Sequence, residues 1–380
     1  MTRPRTLIVG GGIAGLATAA GLARAGIACE VVERAPAWAP VGAGIVLSVN
    51  AMAVMRRLGL DDAVAERGTR LGRGAITDAA GRELGATDFA LLEPELGPTI
   101  ALHRAALHEV LLEGARDVPV AHDASVEALR SDEDGVDVTF TDGREHRYDL
   151  VVGADGLRSR VRELLFGPSS LAYSGYTCWR FVVKSPVRSL AMREMWGRGR
   201  RLGIVPIGED SLYAFAVANA PPGADDPPEG RLDRLRERFA GFGGQAPDVL
   251  AALQSPDQLI HNDLEERPEG PWHAGRVLLI GDAAHAMTPN MGQGAAMALE
   301  DAAVLVELLA AGASPVSEVV LRLVERRRAR VRWVQRQSRR IGRVGQLEGT
   351  LACTLRNAAL RLVPARASDR ALRRIASQPL

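Results

Sequence analysis

Gly10, Gly12 and Gly15 have the spacing of a turn that cradles a phosphate. In such a turn the first glycine makes the tight bend, the second lets backbone amides approach a pyrophosphate, and the third lets helix and strand pack closely. The helix that follows brings a partial positive charge to the same place. The apolar run Thr6–Val9 leads into the turn, and an Ala/Leu-rich segment over 13–27 leaves it. Glu33 closes the next apolar run, 18 residues after Gly15, with Arg34 beside it. A carboxylate there accepts hydrogen bonds from the hydroxyls of an adenosine ribose and repels a 2′-phosphate. The chemistry is dinucleotide binding, and this turn alone leaves FAD and NAD equally open.

Two later segments separate them. Residues 150–162 read LVVGADGLRSRVR, and residues 277–302 read VLLIGDAAHAMTPNMGQGAAMALEDA. With the first turn, they make the chain resemble the class A flavoprotein monooxygenases, the p-hydroxybenzoate/salicylate hydroxylase-like FAD enzymes that act on aromatic rings. The resemblance covers about residues 5–345, with three motifs in family order. It implies FAD on Gly10, Gly12, Gly15 and Glu33, with Arg104 near the diphosphate and ribityl chain. It matches the DG motif to Asp155 and Gly156, followed by Arg158 and Ser159. It matches the GD motif to Gly281 and Asp282, whose carboxylate would hold a ribityl hydroxyl. Pro289, Gly292, Gln293 and Gly294 would lie beside the isoalloxazine. Independently, Asp282 directly follows a buried apolar run, where α/β sheets bind ligands. Gly292 and Gly294 remove side chains where a flat ring would approach, and the helix after them offers its positive end. His285 would be structural.

The substrate side is less legible. Tyr173, Tyr176, Trp179 and Arg180 cluster in YSGYTCWR, although only 4% of the chain is aromatic. Arg180 is a candidate for holding an acidic or phenolate ligand. Arg201 and Tyr213 are spaced like the arginine and tyrosine that meet substrate in bacterial urate hydroxylases, with Phe215 at the same alternation. Asn290 stands where those enzymes tend to carry an acid, so no residue set fixes the substrate.

Apolar strands near 6, 30, 148 and 277 read as one parallel nucleotide-binding sheet. Strand-like alternation over 73–95, 172–184 and 201–219 interrupts that unit. Residues 36–50 read as a Pro/Gly-rich loop and a strand, 51–66 and 101–114 as helices, and 231–240 and 246–254 as short helices. The expected fold is α/β: a Rossmann-like FAD-binding domain interleaved with a smaller β-sheet substrate domain, and a long C-terminal helix. The expected boundaries are 1–72, 96–165 and 270–320 for the first domain, 73–95 and 166–269 for the second, and 321–380 for the C-terminal helical region.

Composition narrows the field. With 47% hydrophobic and 24% charged residues, the 380-residue chain is globular rather than disordered or fibrous. Cys29, Cys178 and Cys353 are too scattered for a disulfide scaffold or a zinc site, and the seven histidines show no metal spacing. The net charge of +1 conceals a basic C-terminal segment, residues 322–380, with sixteen arginines against three acids. Val324, Val331, Val334, Ile341 and Val344 make one face of a helix over 315–345, with arginines on its other, solvated faces. No nucleic-acid motif accompanies the charge. No run is apolar enough for a signal peptide or a membrane span.

The resemblance therefore implies an NAD(P)H- and O2-dependent hydroxylase of a planar aromatic or heteroaromatic substrate, acting through a flavin C4a-hydroperoxide in the cytoplasm. Expected partners are substrate, O2 and NAD(P)H, with no nucleic acid, no stable membrane insertion, and a monomer or weak homodimer. Three alternatives stay open: an epoxidase, N-hydroxylase or decarboxylating hydroxylase on the same scaffold; an FAD dehydrogenase or oxidase; and a non-enzymatic flavoprotein.

Overall fold

The computed structural model describes residues 4–39, 42–185 and 191–376. Pro40 and Val41, in the expected Pro/Gly-rich loop, lie outside the described residues, as do 186–190 within the expected substrate domain.

Apolar strands buried on both faces must lie in a sheet covered by helices. They form a six-stranded sheet in the order His273–Ala274, Val277–Leu279, Leu150–Gly153, Thr6–Val9, Cys29–Val32 and Val120–Ala121. All its pairings are parallel except the one between the first two strands. Thr6 registers with both Cys29 and Leu150, and Val151 with Val277. Segments 270 residues apart thus end at one carboxyl edge. Helices Ile13–Arg24 and Gly294–Ala310 pack together against this sheet in the main core. A small antiparallel sheet, Val126–Ser131, Val136–Phe140 and Glu145–Tyr148, fills the excursion before Leu150–Gly153.

The second large sheet has seven strands: Ile260–Glu266, Ala172–Lys184, Ser211–Asn219, Arg200–Pro206, Ala191–Trp196, Arg73–Asp78 and Glu83–Asp88. Alternation gives it two different faces. Trp179, Phe181, Leu202, Ile204, Ala214 and Ala216 point to one side, where helices Arg231–Phe239 and Ala246–Ala251 cover them. The other face packs on Val46 and Ala101, from a three-stranded sheet of Gly44–Leu47, Ile100–His103 and Thr69–Arg70.

Several expectations need correction. Residues 73–95 are not strands throughout: Asp88 accepts a hydrogen bond from the Leu91 N–H and caps a helix, Phe89–Leu96. Residues 51–66 are two helices, because Gly59 is left-handed (φ 72°) and ends the first. Strand Ile260–Glu266 gave little sequence signal because it is an edge strand rich in polar residues. The long helix Val316–Gly345 is present, but its arginines are not all solvated. Arg327 and Arg330 are buried against Glu300 and Asp301 of Gly294–Ala310. Two further helices, Thr350–Arg361 and Ala365–Ala376, follow. No helix among the described residues is long and apolar enough to cross a membrane.

Candidate active site

The glycine turn sits between the first strand and its helix. Gly10 has φ 107°, and a Cβ there would lie 2.6 Å from the Ala154 carbonyl oxygen. A Cβ on Gly15 would overlap the Gly10 carbonyl. These two glycines are therefore required by packing. Gly12, the N-cap of Ile13–Arg24, is exposed, and a Cβ there would touch nothing. The first turn of this helix holds no acid and no side chain caps it, so its N–H groups are available to an anion.

Glu33 holds the turn together. One carboxylate oxygen accepts from the Gly11 N–H at 2.7 Å and the other from the Ala35 N–H at 2.8 Å. Each oxygen retains a lone pair, so two ribose hydroxyls still find an acceptor. Arg34 is exposed beside it. Trp38 lies over Gly11, edge-on to His108 and His122, and His108 Nε2 is 2.9 Å from the Gly11 carbonyl oxygen. Sequence reasoning missed Trp38 and His108, which carry no motif.

Asp155 lies against Gly10, but its carboxylate is engaged locally. It accepts from Ser159 Oγ at 2.6 Å and from the Val161 N–H at 3.0 Å, and so supports the start of helix Arg160–Phe166. Arg158 pairs with Glu265 at 3.0 Å. Arg162 and Arg267 were also missed. Arg162 donates to the carbonyls of Ala283 (2.8 Å), Ala284 (3.1 Å) and Pro271 (2.9 Å). Arg267 donates to Ser169 Oγ and the Leu157 carbonyl. Burial lowers the Arg267 pKa, and the charges of Asp155 and Asp282 oppose that shift.

Gly281 has φ 57°, and its N–H donates to Asp301 Oδ2 at 3.0 Å. Asp282 follows with its side chain exposed at the carboxyl end of Val277–Leu279. Behind it, His285 Nε2 meets Asp301 Oδ2 at 2.6 Å, and Arg327 Nε meets Asp301 Oδ1 at 2.8 Å. Burial alone would raise the Asp301 pKa; the charges and hydrogen bonds of His285 and Arg327 outweigh this and hold it at about 2. His285 is thus a buried partner of Asp301.

Pro289 begins a short turn, Pro289–Met291, and Gly292 follows it, exposed, with φ 61°. A Cβ on Gly292 or Gly294 would touch nothing. Gln293 is buried: its Nε2 donates to Ser48 Oγ at 2.7 Å, and its Oε1 accepts from Asn50 at 3.0 Å. Helix Gly294–Ala310 starts with no acid in its first turn. Arg104 is exposed at the start of helix Arg104–Gly114, with its stem along Gly42. The described residues therefore present two uncapped helix N-termini, a ribose-compatible carboxylate, an exposed Asp282 and glycines facing open space. That donor and acceptor set fits FAD.

The inner face of the seven-stranded sheet faces away from its covering helices. Register aligns Arg180 with Phe215 and Gly203, and Val182 with Tyr213 and Val205. Tyr213 packs on Gly44, where a Cβ would overlap its ring. Burial raises the Tyr213 hydroxyl pKa, so it stays protonated. Val46, Phe89, Val182, Met192, Tyr213 and Phe215 form a partly buried apolar cluster packed on Leu71, Ala101, Val205 and Ile207. Arg180 is half-buried and donates to Asn262 at 2.9 Å. Arg201, 2% exposed, has all three guanidinium nitrogens on protein: Gln346 (3.0 Å), Glu194 (2.9 Å) and Asn290 (2.6 Å). Trp179 does not share this face. It points to the helix-covered side, donates to Asp226 at 2.7 Å and stacks on His261.

A family model described as "FAD binding domain" matches residues 3–338. The chain is 42% identical over 372 residues to aurachin C monooxygenase/isomerase of Stigmatella aurantiaca, covering 97% of this chain and 96% of that one. It is 39% identical over 368 residues to 2-heptyl-3-hydroxy-4(1H)-quinolone synthase of Pseudomonas aeruginosa, with 94% of each covered. Among solved structures, Klebsiella pneumoniae HpxO complexed with FAD and uric acid matches with a TM-score of 0.89 at 26% identity, over 97% of this chain and 95% of that one.

Proposed function

The chain belongs to the family of FAD-dependent aromatic monooxygenases, and from that premise we propose that it hydroxylates the ring of a bicyclic nitrogen heteroaromatic, of the 4-quinolone type, that carries an apolar chain. The carrying observation is the lining of the inner sheet face. It is apolar, and the buried Arg201 already spends its guanidinium on Glu194, Asn290 and Gln346. A neutral substrate suits such a face better than a small carboxylate, because sites of this kind are mostly apolar with few orienting polar groups. The names of the aurachin and heptylquinolone relatives point to the same class.

In this reading Gly10, Gly12, Gly15, Glu33, Arg34, Arg104, Asp155, Gly281, Asp282, Pro289, Gly292, Gln293 and Gly294 form the FAD site. FAD supplies the redox and oxygen chemistry when bound. The protein's part is to bind, orient and keep dry. Glu33 fixes the turn and accepts ribose hydroxyls. Asp155 shapes the wall beside Gly10, and Asp282 accepts a ribityl hydroxyl. The start of Gly294–Ala310 directs partial positive charge at the ring. Tyr213, kept protonated by burial, donates a hydrogen bond to a substrate carbonyl. Arg180 orients the polar edge. Arg201 is a positioning residue, tying the sheet to the Pro289–Met291 turn through Asn290. The apolar face excludes water, which suppresses wasteful release of peroxide.

The co-substrate in this reading is NADH or NADPH, and the compartment is the cytoplasm, in keeping with three free cysteines. The domain division we propose is 1–72, 96–165 and 270–320 for FAD, 73–95 and 166–269 for substrate, and 321–380 for the C-terminal helices. The test is NAD(P)H consumption by the purified FAD-loaded enzyme against a ligand panel, followed by product mass. The panel holds 2-alkyl-4(1H)-quinolones, hydroxybenzoates, hydroxypyridines and urate. Stimulated consumption with one added oxygen, greatest for the alkylquinolones, is expected. Turnover only with the small carboxylates or urate refutes the substrate class.

A further inference from the structure

Helix Thr350–Arg361 is folded with its polarity inverted. Leu351, Leu355, Ala358 and Leu362 recur at spacings of 4, 3 and 4, which puts them on one helical stripe. All four face solvent, with Leu351 72%, Leu355 62% and Leu362 81% exposed. Val363, next to the stripe's end, is exposed as well. The inward side carries Cys353 and Arg356 instead. Arg356 lies over the Trp196 ring and donates to the carbonyls of Gly345 (3.1 Å) and Gly197 (3.0 Å). Cys353 Sγ donates to the Leu347 carbonyl at 3.1 Å. The helix is therefore pinned by its polar side and displays its leucines.

Charge and size indicate what covers them. Residues 350–376 hold six arginines and one aspartate. Arg361, Arg370, Arg373 and Arg374 are exposed, although Arg361 also reaches Asp78, Arg373 pairs with Glu95 and Arg374 lies over the Trp333 ring. Two copies meeting here would bring like charges together. A helix of 12 residues is also only about 18 Å long. Paired with its twin it would bury a few hundred Å², well below the roughly 1,200 Å² of a stable interface. Exposed leucines followed along the chain by the exposed Arg361, Arg370, Arg373 and Arg374 match a bilayer whose apolar interior lies beneath anionic headgroups.

We propose that this helix docks the protein onto the surface of an anionic lipid bilayer: Leu351, Leu355 and Leu362 enter the headgroup boundary and the neighbouring arginines meet lipid phosphates. No helix among the described residues is long and apolar enough to span the bilayer. The inference rests on the C-terminal helices and stands apart from the substrate assignment.

The test is co-sedimentation of FAD-loaded full-length protein with vesicles of equimolar phosphatidylglycerol and phosphatidylcholine, or of phosphatidylcholine alone. Burying one leucine side chain is worth at least about tenfold in partition, and each arginine near the surface about fivefold. Pelleting is expected with the anionic vesicles, weakening several-fold as salt rises from about 50 to about 500 mM. The variant Leu355→Glu/Leu362→Glu should lose at least about tenfold in partition while keeping its FAD content and melting temperature. These leucines are exposed, so their loss leaves the core intact. Equal binding to pure phosphatidylcholine, or no binding at all, overturns the proposal. So does a wild-type dimer in light scattering that the double variant converts to monomer, because the stripe would then belong to a second copy.

Discussion

Glu33 closes the second strand with each carboxylate oxygen on a backbone N–H, so it serves the protein before any ligand arrives. Replacing it with arginine removes the acceptors and sets a cation beside the proposed adenosine site. Hydrogen bonds to a charged group are worth about 1.5–3 kcal/mol, so Glu33→Arg should weaken FAD binding about 10- to 150-fold. Titration of apoprotein with FAD, followed by flavin fluorescence, reads this; unchanged affinity in a folded variant removes Glu33 from the site. The two arginines of the sheet face divide differently. Arg201 is enclosed by Glu194, Asn290 and Gln346. Arg201→Met leaves Glu194 without its partner and should cost about 3 kcal/mol of stability, the scale of a broken buried pair. Arg180 is half-buried and donates to Asn262. Arg180→Met should keep the melting temperature and FAD content and instead raise KM or divert NAD(P)H oxidation to H2O2. Equal melting temperatures for the two variants would contradict this division.

Between residues and whole domains, the decisive unit is the pair of helices Gly294–Ala310 and Val316–Gly345. Glu300 and Asp301 are fully buried in the first, and Arg327 and Arg330 of the second neutralise them. Asn50 Nδ2 joins Glu300 at 2.7 Å and Gln293 at 3.0 Å, so the cluster reaches the glycine-flanked turn. Asp301 also holds the Gly281 N–H, so losing it should loosen the turn that presents Asp282. We expect Asp301→Asn to lower the unfolding free energy by about 3 kcal/mol at neutral pH. The Asp301 pKa, held at about 2, lies below the unfolded value of about 3.9. The stabilisation is therefore fully present above about pH 4 and is lost as pH falls towards about 2. The gap between wild type and variant in urea melts should shrink over that window; a constant gap would show that the charge is not what stabilises. This cluster also marks how far the sequence could be read. Gly10, Gly292 and Glu33 were legible as local features because each meets a backbone demand: the two glycines take positive φ, and Glu33 accepts from two backbone N–H groups. Arg327 and Arg330 were read as part of a solvated arginine face and Glu300 and Asp301 carried no reading, because their pairing depends on how two helices cross. Trp179 and Arg180, adjacent in one strand, must face opposite ways, and which of them points inward depends on the strand's neighbours. The edge strand Ile260–Glu266 escaped notice because its polar residues give little alternation.

At the scale of the molecule, two sheets of different chemistry meet. The six-stranded sheet brings the nucleotide motifs to one carboxyl edge, and the seven-stranded sheet turns Val182, Tyr213 and Phe215 towards Val46. An apolar face built from the seven-stranded sheet and the three-stranded sheet that carries Val46 should reward apolar substrate length. Each buried methylene is worth about 0.8 kcal/mol, or about fourfold in an equilibrium constant. For 2-alkyl-4(1H)-quinolones of increasing chain length, kcat/KM should rise by up to about fourfold per methylene until the lining is filled, and then level off. The gain should sit in KM where the chain binds equally in ground and transition states, and kcat should stay nearly constant. Phe215→Asp places a carboxylate in that lining opposite Gly203 and Arg180 and should flatten the series. FAD content must be unchanged in this variant, since Phe215 belongs to the apolar lining rather than to the nucleotide-binding turns. The measurement is a set of steady-state rates for four or more chain lengths on both proteins. Independence of chain length in the wild type, with full hydroxylation of the bare ring, would show that the apolar face holds the ring alone and that the chain lies outside it.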